Sequence, residues 1–466
     1  MLNSSLPRRS QLTLVLFALA SAPIAKGVCA AQQADSKPRP PNIVLIIADD
    51  MTWRDCGPYG NADVRTPNLD ALAEAGMTFE RAFTATAMCS PTRQQLYTGV
   101  FPVRNGAYPN HSKVKPGTKS IVHHLRSLGF RVALNGKRHF GPPDSFPFEK
   151  GNAEFVTRDK AQPFCLIVAS NSPHLPWTAG PRDYDPKSLT VPPYLVDNVQ
   201  TRQRLADYYS EITAFDSEVG QWMKIVDEAG LTDETIFIAT SEQGSQFPGA
   251  KWTCYDLGLR VALIVRWPGK VKAGSRTPAM VQYVDVVPTL LAAAGADPQK
   301  FDTGREGAPD GKSGFDGRSF LGVLMGETDA HNEYVSGLHT SQAMSSGEPY
   351  RVRSSRDGRY KCIWNLTSET SFQNVVTEKD SGDYWSSWVR DAKTDPRAAK
   401  LVAQYQTRPA EEFYDVVADP FEQTNLADME QHRERMDAMK ARLQSWMKQQ
   451  GDAGMKTELA AKPRKR

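Results

Sequence analysis

Three polar clusters each follow a short, mostly apolar run. Asp49 and Asp50 follow Asn42–Ala48, Lys137, Arg138 and His139 follow residues 130–134, and Ser241, Glu242, Gln243 and Gly244 follow residues 235–240. Two adjacent carboxylates, a third carboxylate and a carboxamide offer four side-chain oxygen donors. That is a hard set, suited to Ca²⁺ or Mg²⁺ rather than zinc. Alone, Asp49-Asp50 also reads as an ordinary strand-terminating turn. In open α/β sheets, however, ligands gather beyond the carboxyl ends of the strands, so the fold decides whether the clusters meet.

The elements that must position them alternate. The run Asn42–Ala48 reads as a buried, parallel strand. Thr66-Pro67 opens a helix with a cap residue and a proline in its first turn, with Leu69 and Leu72 on one face and Gly76 as the stop. Ser120 to Leu128 repeats that design before the strand at 130–134. Leu205, Tyr208, Ile212, Phe215, Val219, Trp222 and Val226 step by three and four along one long amphipathic helix that Gly230 ends. Residues 235–240 and 261–266 are two more apolar strands. Alternation through about residue 295 predicts an α/β fold, a large, mostly parallel mixed sheet sandwiched by helices. Residues 297–317 read as a long loop rich in Gly, Asp and Pro. Beyond it lie short polar strands at 350–355 and 359–364 and a terminal helix at 429–448. These boundaries imply a large domain at 42–325, a smaller C-terminal α+β subdomain at 326–450 and a basic tail at 451–466, whose end, 462–466, is expected to be solvated.

Composition bounds the function. The chain has 466 residues, 40% hydrophobic and 23% charged, enough to bury a large core. The formal charge is +3, and residues 1–30 hold Arg8, Arg9 and Lys26 with no acid, so the remainder is neutral. A neutral body argues against a nucleic-acid partner, which would demand a standing cationic excess. Arg8-Arg9, the apolar run at 12–24 and Val28-Cys29-Ala30 together read as a cleavable signal peptide over 1–30, followed by a linker at 31–41. This places the protein outside the cell or in a periplasm. The run is short for a membrane span and is interrupted by Pro23 and Lys26, so no stable membrane insertion is expected. Five cysteines then remain, Cys56, Cys89, Cys165, Cys254 and Cys362. An odd, sparse set does not form a disulfide framework, and Cys165, inside an apolar run, reads as a core residue.

The segment Cys89-Ser90-Pro91-Thr92-Arg93, followed by Leu96-Tyr97-Thr98-Gly99, resembles the signature of the type I sulfatases of the alkaline phosphatase superfamily. That motif is Cys-x-Pro-Ser-Arg and then Leu-x-Thr-Gly. Here Thr92 replaces the serine, one hydroxyl for another. The resemblance extends to Thr66-Pro67-Asn68-Leu69-Asp70, Gly136-Lys137-Arg138-His139, Pro173-His174, residues 263–269, Phe413-Tyr414-Asp415, Asp419-Pro420 and Asn425-Leu426. It implies that a formylglycine-generating maturation enzyme oxidises Cys89 to formylglycine. One oxygen of the hydrated aldehyde attacks sulfur, and the other expels sulfate by re-forming the aldehyde, dividing a hard hydrolysis into two easier steps. It further implies that Asp49, Asp50, Glu242 and Gln243, with the modified Cys89, hold Ca²⁺, with Mg²⁺ the alternative. Arg93 and Lys137 would steady the nucleophile and metal-side oxygens, and His139 would take the proton from the second hydroxyl. His174 and Lys251 would face the sulfate and leaving group, His174 as proton donor. His111, His123, His124, His331 and His432 are read as ordinary histidines.

One departure is informative. The family's Ser-Asp-His/Asn-Gly stands here as Ser241-Glu242-Gln243-Gly244, with both expected ligands one methylene longer than Asp and Asn. Within the family the chain is most similar to the heparan N-sulfatase (sulfamidase) branch, through residues 136–142, 191–198 and 246–251 and, more weakly, 337–351. Lys251 stands where that branch tends to place an arginine, which keeps a cation but changes its geometry. The resemblance implies a sulfated glycan as substrate, cleaved at a sulfate ester or a sulfamate, and His339 and Arg351 of the C-terminal subdomain are candidate sugar contacts. Two alternatives belong to other classes: a secreted glycan-binding pseudoenzyme, and a phosphatase or phosphonate hydrolase of the same superfamily. Cys89 argues against the second, which would normally use Thr or Ser as nucleophile.

Overall fold

The structure is a computed structural model that describes residues 13–14, 39–306, 314–340 and 348–461. The proposed signal peptide and the end at 462–466 lie outside the described residues, apart from residues 13–14. Among the described residues no helix is long and apolar enough to cross a membrane.

Nine strands form the main sheet: β1 (Asn42–Ala48), β2 (Met77–Phe83), β3 (Arg131–Gly136), β4 (Glu149–Lys150), β5 (Phe164–Ala169), β6 (Thr235–Ser241), β7 (Arg260–Val261), β8 (Leu263–Arg266) and β9 (Ser275–Gln282). Their order is β4-β3-β5-β1-β6-β8-β2-β7, with β9 also on β2. The five strands from β4 to β6 run parallel. Every residue of β1, β5 and β6 is buried, which is why they read as unbroken apolar runs. Alternate side chains serve opposite layers. Val44 and Ile46 pack with Leu205, Ile212 and Phe215 of the long helix Val199–Glu228, whereas Ile43, Leu45 and Ile47 pack with Leu125, Val287 and Leu291 on the other face. The expected three-layer α/β architecture is therefore present.

Two local expectations are revised. Residues 261–266 do not form one parallel strand: they split into β7 and β8, and β8 runs antiparallel to both β6 and β2. The helix Pro67–Glu74 is not capped by the Thr66 side chain, whose hydroxyl accepts from the Gly57 amide at 2.8 Å. Asp216 of the long helix accepts the Leu69 and Asn68 amides instead, at 2.8 and 3.2 Å, so the cap comes from across the interface.

A second sheet is antiparallel, ordered β10 (Val335–Thr340), β11 (Arg351–Arg356), β12 (Tyr360–Asn365), β13 (Glu411–Asp415). Met436 and Met439 of the helix Arg433–Gln449 cover it at Cys362 and Phe413. After that helix, Asp452 and, in the short helix Met455–Ala460, Glu458 close on Arg353, and all three side chains are completely buried. The Leu338 amide donates to the Ala85 carbonyl at 2.8 Å, and Gln282 Nε2 to the Ser336 carbonyl at 2.7 Å, tying the second sheet to segments of the first.

Candidate active site

The parallel strands β3, β5, β1 and β6 lie side by side, and their carboxyl ends bring the polar clusters together. Backbone bonds continue past the strands: Glu242 N donates to Ala48 O (3.0 Å), Asp49 N to Ser172 O (2.9 Å) and Lys137 N to Ala169 O (2.8 Å). Asp49, Asp50, Lys137, His174 and Glu242 thus leave one sheet edge from adjacent strands. Asp50 holds φ = +70°, a conformation that a non-glycine residue keeps only where its surroundings impose it.

Cys89 begins the helix Cys89–Thr98, all ten residues of which are buried. Polar side chains fix this helix. Thr92 Oγ1 donates to Thr86 O at 2.5 Å, Gln95 Oε1 accepts the Ala85 amide at 3.2 Å, and Gln94 Nε2 donates to Ser112 O at 3.0 Å. Gly99 ends the helix at φ = +66°, where a Cβ would lie 2.6 Å from the Phe315 ring. The Thr92 hydroxyl therefore has a structural partner, and the exchange for serine keeps it.

Ligand atoms of Asp49, Cys89 and Glu242 lie within 4.8 Å of one another, as do those of Asp49, Asp50 and His174. Arg93 Nε stands 2.5 Å from Glu242 Oε2, and its Nη2 stands 3.9 Å from Asp49 Oδ2. Lys137 Nζ donates to Asp49 Oδ2. Asp50 accepts Gln243 Nε2 at 2.6 Å and Lys251 Nζ at 2.5 Å, and His174 Nε2 is 3.6 Å from the same carboxylate. Asp49, Asp50, Cys89, Arg93, Lys137, His174, Glu242, Gln243 and Lys251 thus lie together, while the side chain of His139 contacts His111. The donor set can hold a hard divalent cation: Asp49 Oδ1 and Gln243 Oε1 are buried oxygens with no hydrogen-bond partner among the described residues, the state in which a cation is their natural complement.

Burial shapes the titration. It pushes Glu242 up to about 8 against the pull of Arg93, whereas Asp49, equally desolvated, is held well below the carboxylate range by its hydrogen bond with Glu242 and by Arg93 and Lys137. Burial raises the Cys89 thiol to about 11, so the unmodified residue is a protonated thiol at neutral pH and a poor nucleophile. Burial, then Lys137 and His111, push His139 down to about 3, which keeps its imidazole neutral.

His339 and Arg351 belong to the second sheet. His339 on β10 is completely buried with its ring against Phe372 (centroids 6.0 Å apart), and Arg351 on β11 has its Nε 3.8 Å from Glu458 Oε2. Sequence reasoning passed over His111, whose Nδ1 lies 2.7 Å from His139 Nε2. No spacing rule connects two histidines 28 positions apart on different loops.

The sulfatase family model matches residues 41–158 and 148–296. The chain belongs to the sulfatase family, as the cysteine motif implied. It is 34% identical over 435 residues to an ulvan-active sulfatase of Formosa agariphila, covering 88% of this chain and 81% of that one. It is 26% identical over 475 residues to human N-sulphoglucosamine sulphohydrolase, covering 88% and 90%. A solved structure in complex with its substrate D-glucosamine-2-N,6-O-disulfate shares the fold, with a TM-score of 0.67 at 20% identity and coverage of 89% and 99%. The protein is a sulfuric ester hydrolase.

Proposed function

We propose that the protein is an exported sulfatase that removes sulfate from a polysaccharide, with a formylglycine made from Cys89 by a maturation enzyme as nucleophile. Asp49, Asp50, Glu242 and Gln243 would hold Ca²⁺ or Mg²⁺ beside it. The observation that carries this reading is the position of Cys89, at the start of a rigid buried helix with its Sγ within 4.8 Å of ligand oxygens of Asp49 and Glu242. The cation and the hydrated aldehyde would supply charge stabilisation and an oxygen nucleophile.

The chain's own residues do the rest. Arg93 and Lys137 fix the carboxylates on the metal side through ion pairs to Glu242 and Asp49. Lys251 holds a buried ammonium against Asp50, where it would meet the sulfate. His174 Nδ1 is engaged at 2.5 Å with the Leu175 carbonyl, which leaves Nε2 as the atom that hands a proton to the leaving oxygen. His139, kept neutral by burial and by Lys137 and His111, would be the acceptor for the proton of the nucleophile's second hydroxyl. A catalytic role suits this set better than a binding-only pseudoenzyme, because buried cations and unpartnered oxygens are costly features that turnover would use.

The relatives support the substrate class. The stronger likeness is to an ulvan-active enzyme, which supports a sulfate ester on a polysaccharide, while the likeness to N-sulphoglucosamine sulphohydrolase supports a sulfamate as the second reading. The test co-expresses the protein with a formylglycine-generating enzyme, weighs the Cys89 peptide and follows free sulfate from a panel of O- and N-sulfated saccharides. A lighter peptide with sulfate release is expected. An intact cysteine with no bound divalent cation would establish the pseudoenzyme instead, and release of phosphate or phosphonate products without sulfate would establish the phosphoryl alternative.

A further inference from the structure

We propose that His111 is the positioning residue for His139, accepting the Nε2–H of that ring and so fixing the tautomer whose Nδ1 is open to receive a proton. This rests on the reading of His139 as proton acceptor given above. The two imidazoles meet with Nδ1 of His111 2.7 Å from Nε2 of His139 and with ring centroids 4.7 Å apart. Between two neutral rings, one nitrogen must donate and the other accept.

The surroundings decide which. His139 Nδ1 is buried with no hydrogen-bond partner among the described residues, and the nearby charges of Lys137 and Arg93 disfavour further positive charge on the ring. Fixed cations favour a lone pair over a proton on the nitrogen that the ring keeps buried. The proton therefore sits on Nε2 and points outward, to His111. His111 supplies the acceptor from an exposed loop.

The contact is built into the backbone. His111 has φ = +59° and His139 φ = +31°, so both residues hold left-handed conformations that a side chain disfavours. Gln94 laces their loops together: its Nε2 donates to Ser112 O at 3.0 Å, and its Oε1 accepts the amides of Val114 (3.1 Å) and Gly141 (3.3 Å). The Val114 amide also donates to Gly141 O at 2.9 Å. Two flexible surface side chains meeting by accident would need neither the strained backbone nor the shared glutamine. Partners that orient a functional histidine commonly change activity by about 10–100-fold when removed.

The test uses the full, matured chain with saturating calcium. Histidine labelled with ¹⁵N reports the tautomer of His139, assigned by comparison with His139→Ala, in the wild type, His111→Ala and His111→Gln. The wild type should show a single Nε2–H tautomer, and His111→Ala a mixture of tautomers with kcat lowered about tenfold or more at little-changed KM. His111→Gln should recover most of both, since its amide oxygen can accept the same hydrogen bond. The proposal is overturned by an unchanged His139 tautomer in His111→Ala, by equal losses in the Ala and Gln variants, or by an effect confined to KM. If the wild type releases no sulfate, the catalytic reading of His139 fails, and the tautomer spectra still decide whether His111 orients the ring.

Discussion

Lys251→Ala removes an ammonium that stands 2.5 Å from Asp50 Oδ2, with side-chain exposures of 3% and 0%. Deleting one member of a buried ion pair costs about 3–5 kcal/mol, because the other charge is left uncompensated. Unfolding entropy near 2 cal/mol/K per residue gives a chain of this size about 0.9 kcal/mol/K, so the melting temperature should fall by roughly 3–6 °C. Differential scanning fluorimetry in EDTA measures this directly. A divalent cation returns positive charge to the same carboxylates. At a hundred times its Kd it adds about 2.7 kcal/mol, or roughly 3 °C, to the wild type. It should add more to the variant, where no ammonium competes for Asp50. Sulfate release should drop by about 10²–10³, the usual cost of losing one preorganised donor to developing charge. A variant that melts within about 1 °C of the wild type in EDTA and turns over within about threefold would refute the reasoning, since Lys251 would then neither balance Asp50 nor meet the sulfate.

Other consequences are open to measurement. Cys89→Ala should abolish sulfate release while the fold, judged by circular dichroism and melting, survives. Burial raises the Asp55 carboxyl from 3.8 to about 6, so its protonated form stabilises the fold fully below about pH 4, and that contribution is lost as pH rises through about 6. Asp55→Asn keeps an acceptor for the Tyr208 hydroxyl at 3.0 Å, so by neutral pH it should gain about 3 kcal/mol on the wild type, read from urea melts across the range. Arg353→Met strands the carboxylates of Asp452 and Glu458 and should cost about 3–5 kcal/mol, with recovery when both acids become amides. Asp216→Ala removes the interfacial cap of the helix Pro67–Glu74 and should cost about 0.5–2 kcal/mol.

The parts of the molecule legible in the sequence are those where one physical rule acts alone. Strands β1 and β6 are buried on both faces and show as pure apolar runs. The long helix Val199–Glu228 has one wet face and shows its 3.6-residue period. The carboxylates and the carboxamide at the ends of β1 and β6 were legible as a cluster because adjacent parallel strands put those ends side by side. Other features depend on partners far along the chain. The helix Cys89–Thr98 is buried all round, so no polar face betrays its period, and only its motif marked it. Strand β2 carries Glu80 and Arg81 mid-run and lacks the apolar signal. The break at Ala262 that separates β7 from β8 comes from pairing with β2 and β6. Thr66 has the right residue type for a cap, yet its hydroxyl is claimed by Gly57. His111 matters only through a ring 28 positions away, and local pattern is blind to that.

The buried guanidinium of Arg353 meets its two carboxylates 99 and 105 positions later, at Asp452 and Glu458. A growing chain therefore makes the cation long before it makes the anions that allow it to be enclosed. Until Glu458 emerges, closing the second sheet would trap a bare charge in its interior, a state far more costly than staying open to water. Enclosure of Arg353 therefore waits on Asp452 and Glu458, and a chain that lacks them leaves the second sheet unsealed. A product truncated before Asp452 would carry every residue of the strand-end cluster and still be a poor candidate to survive quality control, because the seal on its second sheet was never made.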